Sequence, residues 1–554
     1  MAGKTPEIIE VDAEHLNEFM LRAKDSLANE DYELLDKIVL SYSGLVGTLQ
    51  DNSISLRRLR KMLFGSSSEK TAAVTGEATG NNEAEATADS SEENTPADTV
   101  DELPKKKPKG HGRNGADAYE GAERIVVPHE TLSHGDLCPD CLKGHVYKVA
   151  LPGVLVRIVG QAPLNAKVYE LEKHRCNLCN TVFTAEPPAG VGPEKYNFSA
   201  ASMIALLKYG SGLPFNRLQG LQKNLGIPLP AATQWDVIHN ASHKFTAVYE
   251  EFIRQGANGE LLQNDDTSVR ILEMMGKRAA KLADNPEWPT NKDGSRREGI
   301  YTSGVVSTRD GQQIALYFSG KKHAGENLMH VLMHRSQELP PPLQMCDALN
   351  RNLPGEFETI VANCLAHGRR KFVDVHESFP KECRHVLDTL AQVYKNDADA
   401  KQEQLSPEER LTWHQEKSQG LMADLHQWLK SRFETQVVEP NSELGYAINY
   451  MLHHWKKLTM FLKKAGAPLD NNLCERILKK AILHRKNAMF YKTQNGADVG
   501  DMYMSLIHTC ELCGANPFEY LNDIQHHHAE AQRHPERWMP WNYKSAAQQA
   551  VSSG

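Results

Sequence analysis

Between residues 258 and 366 the chain reads as three β-type runs, a helix and two more β-type runs, and few folds accept that order. The first three runs, GELLQNDDTSVRILEM, GIYTSGVVST and QQIALYFSG, are separated by turn signals. HAGENLMHVLMHR follows as a helix, then LQMCDALN and TIVANCLAH as strands. Three strands in a row, followed by strands alternating with helices, predict one mixed sheet with helices packed on it.

In a mixed sheet of the ribonuclease H type, the first and fourth of these strands are neighbours at the sheet centre. Asp265 lies inside the first and Asp347 at the end of the fourth, so their carboxylates are expected to converge. Asp266 points to the opposite face because side chains alternate along a strand, which makes it the weaker candidate unless a bulge intervenes. Glu475 lies in LDNNLCERILKKAILHRKN, an amphipathic helix with Asp470, Asn471 or Asn472 as its cap. One turn into a helix packed on the sheet, Glu475 could complete a triad. In-line cleavage of a phosphodiester must stabilise both the attacking and the leaving oxygen, which two Mg²⁺ or Mn²⁺ ions ~3.5–4 Å apart accomplish. Carboxylates are the hard oxygen ligands such ions prefer. In a chain with 71 acidic residues, three acids are no signature by themselves. Any one of them reads equally well as a solvated surface acid.

The cysteines matter by grouping. Cys138-Pro-Asp-Cys141 and Cys176-Asn-Leu-Cys179 are two C-x-x-C turns separated by a Val-, Ile- and Tyr-rich stretch. Four thiolates on two tight turns complete a tetrahedral shell for one structural Zn²⁺ and leave no open position for catalysis. Reduced thiols or redox chemistry are the alternative. Cys510 and Cys513 have no partner turn and read as buried thiols, and His526, His527 and His528 as solvent-facing.

Upstream, Leu35, Tyr42, Leu49, Leu56 and Leu63 recur every seven residues, with Ile38, Leu45, Asn52 and Leu59 on the same seam. This segment is either a dimerisation helix or an amphipathic helix packed on its own domain. Residues 71–103 carry nine acids and no Lys or Arg, and without them the net charge of −8 becomes +1. Such a segment lacks the apolar content to fold and is expected to be a disordered linker. It ends in PKKKPKGHGRNG, where Lys105, Lys106, Lys107 and Arg113 either follow phosphates or serve only as a solubilising end. Overall charge therefore neither supports nor excludes DNA binding. No stretch of 18 apolar residues and no signal-peptide pattern occurs, so neither a membrane span nor secretion is expected.

Residues 197–255 read as helices separated by short turns, and the break at LGIPLPAAT suits a helix-turn-helix whose second helix begins near Ala231 to Trp235. Few basic residues occur on that helix, so a purely architectural helical domain is the alternative. His367, Arg369, Arg370 and Lys371 follow the fifth strand, and Arg476, Arg485 and Lys486 flank Glu475. Arg485 and Lys486 are candidates for phosphate contacts, against salt bridging within the fold. His367 either orients a carboxylate or water, or is a satisfied structural histidine, which is the favoured reading.

These motifs together resemble transposases of the insertion-sequence-66 group across nearly the whole chain. The resemblance runs from LRRLRKMLFGSSSEK (56–70) through the paired C-x-x-C turns and KYGSGLPFNRLQ to DDT (265–267). It continues in CLAHGRRKF (364–372), LDNNLCER with RKNAMF (469–490) and SLIHTCELCGANPFEYL (505–521). The family usually has Glu where this chain has Asp266, and the acidic linker is unusually long. The resemblance implies an acidic-triad transposase with Asp265, Asp347 and Glu475 at the three matching positions, acting on terminal inverted repeats and target DNA. It also implies a bacterial, nucleoid-associated protein in the cytoplasm, a homo-oligomer such as a dimer, and small accessory proteins as partners. The expected chemistry is hydrolysis at an element end, then attack of the freed 3′-OH on target DNA without a covalent enzyme intermediate.

The expected architecture is multidomain α+β. It comprises a helical segment 1–65, a linker 66–115, a four-cysteine zinc module 116–190 and a helix-turn-helix-like domain 191–256. A ribonuclease H-like catalytic domain then spans 257–524 with a helical insertion 373–450, followed by a tail 525–554. Phosphate contacts are expected from Arg369, Arg370, Arg485 and Lys486. Two other functions fit the same sequence: a ribonuclease H-like nuclease that does not join strands, and a DNA-binding protein with a dead catalytic fold.

Overall fold

The computed structural model describes residues 126–127, 129, 131–147, 160–175, 177, 182–192, 194–279, 288–290 and 294–553, together with Arg22. The heptad segment, the acidic linker, Lys105, Lys106, Lys107, Arg113, Cys176 and Cys179 lie outside the described residues. The chain forms two compact units, one holding residues 368–399 and 420–450, the other 82–367, 400–419 and 451–554.

A short antiparallel pair, β1 (Lys173–Arg175) and β2 (Val182–Thr184), flanks the second C-x-x-C. The second unit is organised by a five-stranded sheet. Its strands are β3 (Leu261–Ser268), β4 (Tyr301–Arg309), β5 (Gln312–Gly320), β6 (Leu343–Cys346) and β7 (Ile360–Asn363). Their order is β5-β4-β3-β6-β7. The β3–β4 and β4–β5 pairs are antiparallel, while β3–β6 and β6–β7 are parallel. The strands expected from the sequence thus exist, and the first and fourth of them are hydrogen-bonded neighbours. The β4–β5 hairpin turns through Asp310 and Gly311, with φ of 50° and 76°. Positive φ at both central residues is what a two-residue turn needs to match strand twist.

The helices α1 (Phe198–Ala205), α2 (Phe215–Asn224), α3 (Ala231–Ser242) and α4 (Thr246–Ala257) lie directly before the sheet. They share one hydrophobic core with the sheet through Ile204, Leu218, Ile238 and Phe252. Helix α3, expected as a recognition helix, buries Gln234, Ile238 and Ala241, exposes Ala232, Asp236 and Asn240, and carries no Lys or Arg.

Helix α5 (Ala324–Leu332) crosses between β5 and β6. Helix α6 (Leu365–Val375) follows β7 and carries Arg369 and Arg370. The expected insertion is helical: α7 (Pro380–Gln402), α8 (Pro407–Lys417), α9 (Gln419–Glu434) and α10 (Glu443–Leu458). Within the smaller unit, Cys383, Val386, Leu387, Leu390 and Val393 form a buried stripe on α7 at helical spacing.

Helix α11 (Asn472–Ala488) bears Glu475. The next helix, α12 (Gln494–Leu512), covers the edge of the sheet. The backbone N–H groups of Ala315, Tyr317 and Ser319 on edge strand β5 donate to Thr509 Oγ1, Ser505 Oγ and Asp501 Oδ2. Alternate strand residues meet helix residues spaced four apart, so an edge that would invite another strand is satisfied by side chains. Of the two thiols expected to be buried, Cys510 is buried and Cys513 is half-buried.

The segment after residue 524, expected as a tail, instead packs into this core through Ala531, Trp538, Met539, Tyr543 and Ala546. It forms α14 (His528–Arg533) and α15 (Tyr543–Ser553) after α13 (Pro517–His526). Trp538 is fully buried, and Tyr520 Oη donates to its carbonyl at 2.7 Å. The stretch is polar in composition, and its few large residues carry the docking. His527, expected to face solvent, stacks on Trp538 with centroids 5.5 Å apart.

Candidate active site

Asp265 pairs with Gly304 across the β3–β4 ladder, and Asp266 with Ser303. Over Gly304 lies α11. A Cβ there would meet Leu478 side-chain carbons at 3.1 Å and Cys474 Sγ at 3.6 Å. Glycine at 304 therefore allows the helix bearing Glu475 to approach the strand bearing Asp265. The helix is tied at its start by Asn471, which is fully buried. Its Nδ2 donates to the Asn264 carbonyl at 3.2 Å, and its Oδ1 accepts from Gln263 Nε2 at 3.4 Å. Asn471 occupies the cap position without a side-chain capping bond. Asp470 accepts from the Asn472 N–H instead, at 3.2 Å.

Asp347 directly follows β6. Its Oδ1 accepts from Asn352 Nδ2 and from the Leu349 N–H. Asn352 in turn accepts, through its carbonyl, from Asn264 Nδ2 and Gln344 Nε2, both at 2.8 Å. Asn264, Gln344 and Asn352 are fully buried and linked by these hydrogen bonds, although Asn352 Oδ1 has no partner. The expectation from sequence did not include them. The signal was present as polar residues interrupting the apolar strands, Gln263-Asn264 in β3 and Gln344 in β6.

The three acids converge. Asp265 is pushed up to about 7, first by burial and then by the charges of Asp347, Asp266 and Glu475, although the Asp266 N–H on its Oδ1 at 2.8 Å works the other way. A carboxylate disfavoured by burial and by neighbouring negative charge is one that a cation would favour in its ionised form. Among the described residues, Asp265 Oδ2 and Asp347 Oδ2 make no hydrogen bond, and the ion-pair partner of Glu475 is His367, whose Nδ1 lies 3.9 Å from it. Uncommitted carboxylate oxygens in a crowded, half-buried set fit a divalent metal.

Asp266 is elsewhere. Its Oδ2 lies 3.0 Å from His323 Nδ1 and its Oδ1 3.2 Å from Arg351. The period-two reading that set it apart from Asp265 matches this placement. His367 is not the satisfied histidine that was favoured, because its Nδ1 is buried without a hydrogen-bond partner.

Arg485 departs from the expected phosphate contact in one respect. It donates to Thr267 Oγ1, Ser268 Oγ and the Ser268 carbonyl, pinning the end of β3. With Lys486 it also lines a cavity of about 1210 Å³ whose other cationic walls are Arg270, Arg296, Arg297 and Lys321. Trp288 lies in the same wall, with Arg296 4.1 Å and Lys321 4.7 Å from its ring centroid. Of the zinc candidates, Cys138 and Cys141 form a tight turn closed by Cys138 N–H to the Gly144 carbonyl at 2.7 Å. The amides of Gly144 and Lys143 hold the Cys141 thiol below its ordinary range.

The model of the family described as Transposase IS66 family matches residues 195–499, more than half of the chain. The chain belongs to the IS66 family of transposases. That family's domain spans the sheet, all three converging acids and the helical insertion. Membership implies DNA transposition, an acidic catalytic centre of the DDE kind using a divalent metal, and DNA as partner. Three proteins of Sinorhizobium fredii are similar to this transposase. "Uncharacterized protein y4hP" is 27% identical over 457 residues, 77% of this chain and 76% of its own length. "Uncharacterized protein y4jD" is 25% identical over 422 residues, 73% and 78% of the two chains. "Uncharacterized protein y4qI" is 24% identical over 354 residues, 62% of each. No helix among the described residues is long and apolar enough to cross a membrane.

Proposed function

We propose that this transposase binds the terminal inverted repeats of an insertion sequence and cuts and joins DNA at a centre formed by Asp265, Asp347 and Glu475. The observation that carries the reading is the burial of Asp265 among the charges of Asp347 and Glu475. Mg²⁺ or Mn²⁺, two per site, supplies the charge that stabilises the attacking and leaving oxygens. The protein's own part is positional. Asn471 holds the Glu475 helix to β3, Asn352 and the Leu349 N–H fix one oxygen of Asp347, and the Asp266 N–H fixes one oxygen of Asp265. The bonds to Asp265 and Asp347 each leave the second carboxylate oxygen for the metal.

The cationic cavity beside β3 is where this reading lays the DNA backbone, with Lys486 and Arg485 as phosphate contacts. Arg369 and Arg370 on α6, and Lys105, Lys106, Lys107 and Arg113 in the linker, add further phosphate contacts in the same reading. Cys138, Cys141, Cys176 and Cys179 hold one structural Zn²⁺, a reading supported by the tight turn at the first pair.

The test uses DNA bearing the element ends with Mg²⁺, comparing wild type with Asp265→Asn, Asp347→Asn and Glu475→Gln. Each variant is expected to fold, to retain end binding and to lose cleavage and joining by about 10³-fold or more. Any of them cutting and joining at the wild-type rate contradicts the assignment. Precut ends separate the alternatives, since a nuclease that does not join yields no strand-transfer product.

A further inference from the structure

Two side chains lie against Glu475 that an all-oxygen metal set does not use. Cys364 follows β7 and His367 lies in the first turn of α6. Ligand atoms of Cys364, His367 and Glu475 all fall within 4.8 Å of one another. His367 Nδ1 is 3.9 Å from Glu475 Oε1, shielded from solvent, and without a hydrogen-bond partner. Cys364 is fully buried, and the Asn471 N–H donates to its Sγ at 3.3 Å. The His367 N–H is a second donor to the same sulfur.

A buried thiol alone is ordinary core filling. Core filling does not account for an orphaned imidazole nitrogen directed at a carboxylate, nor for two amides directed at the thiol sulfur. Amide donors of this kind are the outer support that metal-bound thiolates use. One sulfur, one nitrogen and one oxygen make a set of borderline softness, suited to tetrahedral Zn²⁺ or Co²⁺ with a fourth position left open. Mg²⁺ takes oxygen ligands and has no use for the thiol. Donor distances of ~2.0–2.3 Å to such an ion require the three groups to close in by about 1 Å.

We propose that Cys364, His367 and Glu475 form a transition-metal site of the Zn²⁺ or Co²⁺ class that overlaps the catalytic centre by sharing Glu475. Binding converts the Cys364 thiol to thiolate, releases its proton to solvent and changes no oxidation state. A metal held there withdraws Glu475 from the oxygen set, so micromolar Zn²⁺ inhibits cleavage supported by Mg²⁺. That inhibition rests on the role proposed for Glu475, whereas the binding itself does not.

The experiment is a Co²⁺ titration of the full-length protein without DNA, followed by thiolate-to-cobalt absorption, in wild type, Cys364→Ser and His367→Ala. Cys138, Cys141, Cys176 and Cys179 are common to all three proteins, so differences between the curves report this site. Cys364→Ser is expected to lose one equivalent of the signal, and His367→Ala to weaken that equivalent by about tenfold or more. Superimposable curves for the wild type and both variants overturn the proposal. If Cys364→Ser loses its fold by circular dichroism, His367→Ala decides, and an unchanged Co²⁺ affinity overturns the proposal equally. Failure here leaves the Asp265→Asn cleavage test untouched, so the metal site and the function fail separately.

Discussion

Asp265 and Asp266 are consecutive in one strand yet belong to different environments, Asp265 with Asp347 and Glu475 and Asp266 with His323 at 3.0 Å and Arg351 at 3.2 Å. The first is crowded by like charges; the second is paired. Opposite stability effects follow. Asp266→Asn is expected to lower stability by about 1–3 kcal/mol, because His323 and Arg351 lose a buried charged acceptor. Asp265→Asn is expected to leave stability unchanged or raise it in metal-free buffer, since it removes repulsion. Urea melts of the two variants in EDTA check both.

Asn471 joins the third acid to the first. Asn471→Ala removes the bonds to the Asn264 carbonyl and Gln263 in a fully buried position. The expected outcome is a loss of about 1–3 kcal/mol in stability. Cleavage in saturating Mg²⁺ should also fall, with end binding retained, because Glu475 is no longer held over β3. Cleavage and gel-shift assays at a temperature where the variant stays folded measure the two parts.

The edge-covering helix carries a pH signature. Burial pushes Asp501 up to about 8, although its bonds to the Ser319 N–H and Oγ work against the shift. In the unfolded chain an aspartate titrates near 3.9. Between about pH 4 and 8 the unfolded state has therefore released a proton that the folded state keeps, so this group's contribution to stability falls as pH rises through that window. Asp501→Asn is expected to flatten that part of the pH dependence and to gain on wild type from pH 5 to pH 8. Denaturant melts at those two pH values provide the comparison.

Lys486 and Arg485 are adjacent in sequence but differ in what they hold. Lys486→Ala is expected to weaken DNA binding about equally across sequences and to reduce the salt slope by about 1, with no change in stability. Arg485→Ala should also lower the melting temperature, because Arg485 pins Thr267 and Ser268 at the end of β3. Binding isotherms across salt concentrations, with parallel melts, distinguish the two residues.

The sheet was legible because its strands read as β-type runs separated by turn signals, and strand order then places Asp265 beside the end of β6. Glu475 was legible from its helix and from the family motif. Other features depend on pairings that no local pattern announces. The polar ladder of Asp501, Ser505 and Thr509 looks like ordinary variation in a helix until β5 lies against it. Asn471 reads as a cap, yet its side chain turns to the strand. The residues after 524 look like a tail because Trp538, Met539 and Tyr543, not a periodic apolar face, carry the docking. His367 was read as satisfied because sequence does not reveal an orphaned nitrogen.

The central claim is that Asp265, Asp347 and Glu475 share a divalent cation. The direct measurement is the anomalous diffraction of Mn²⁺-soaked crystals of the full-length protein. The account predicts manganese peaks bonded to oxygens of Asp265 and Asp347, with Glu475 in the same coordination cluster, and their loss in Asp265→Asn. Fully occupied manganese elsewhere in the crystal, with these three carboxylates turned away from one another and bare, would contradict it.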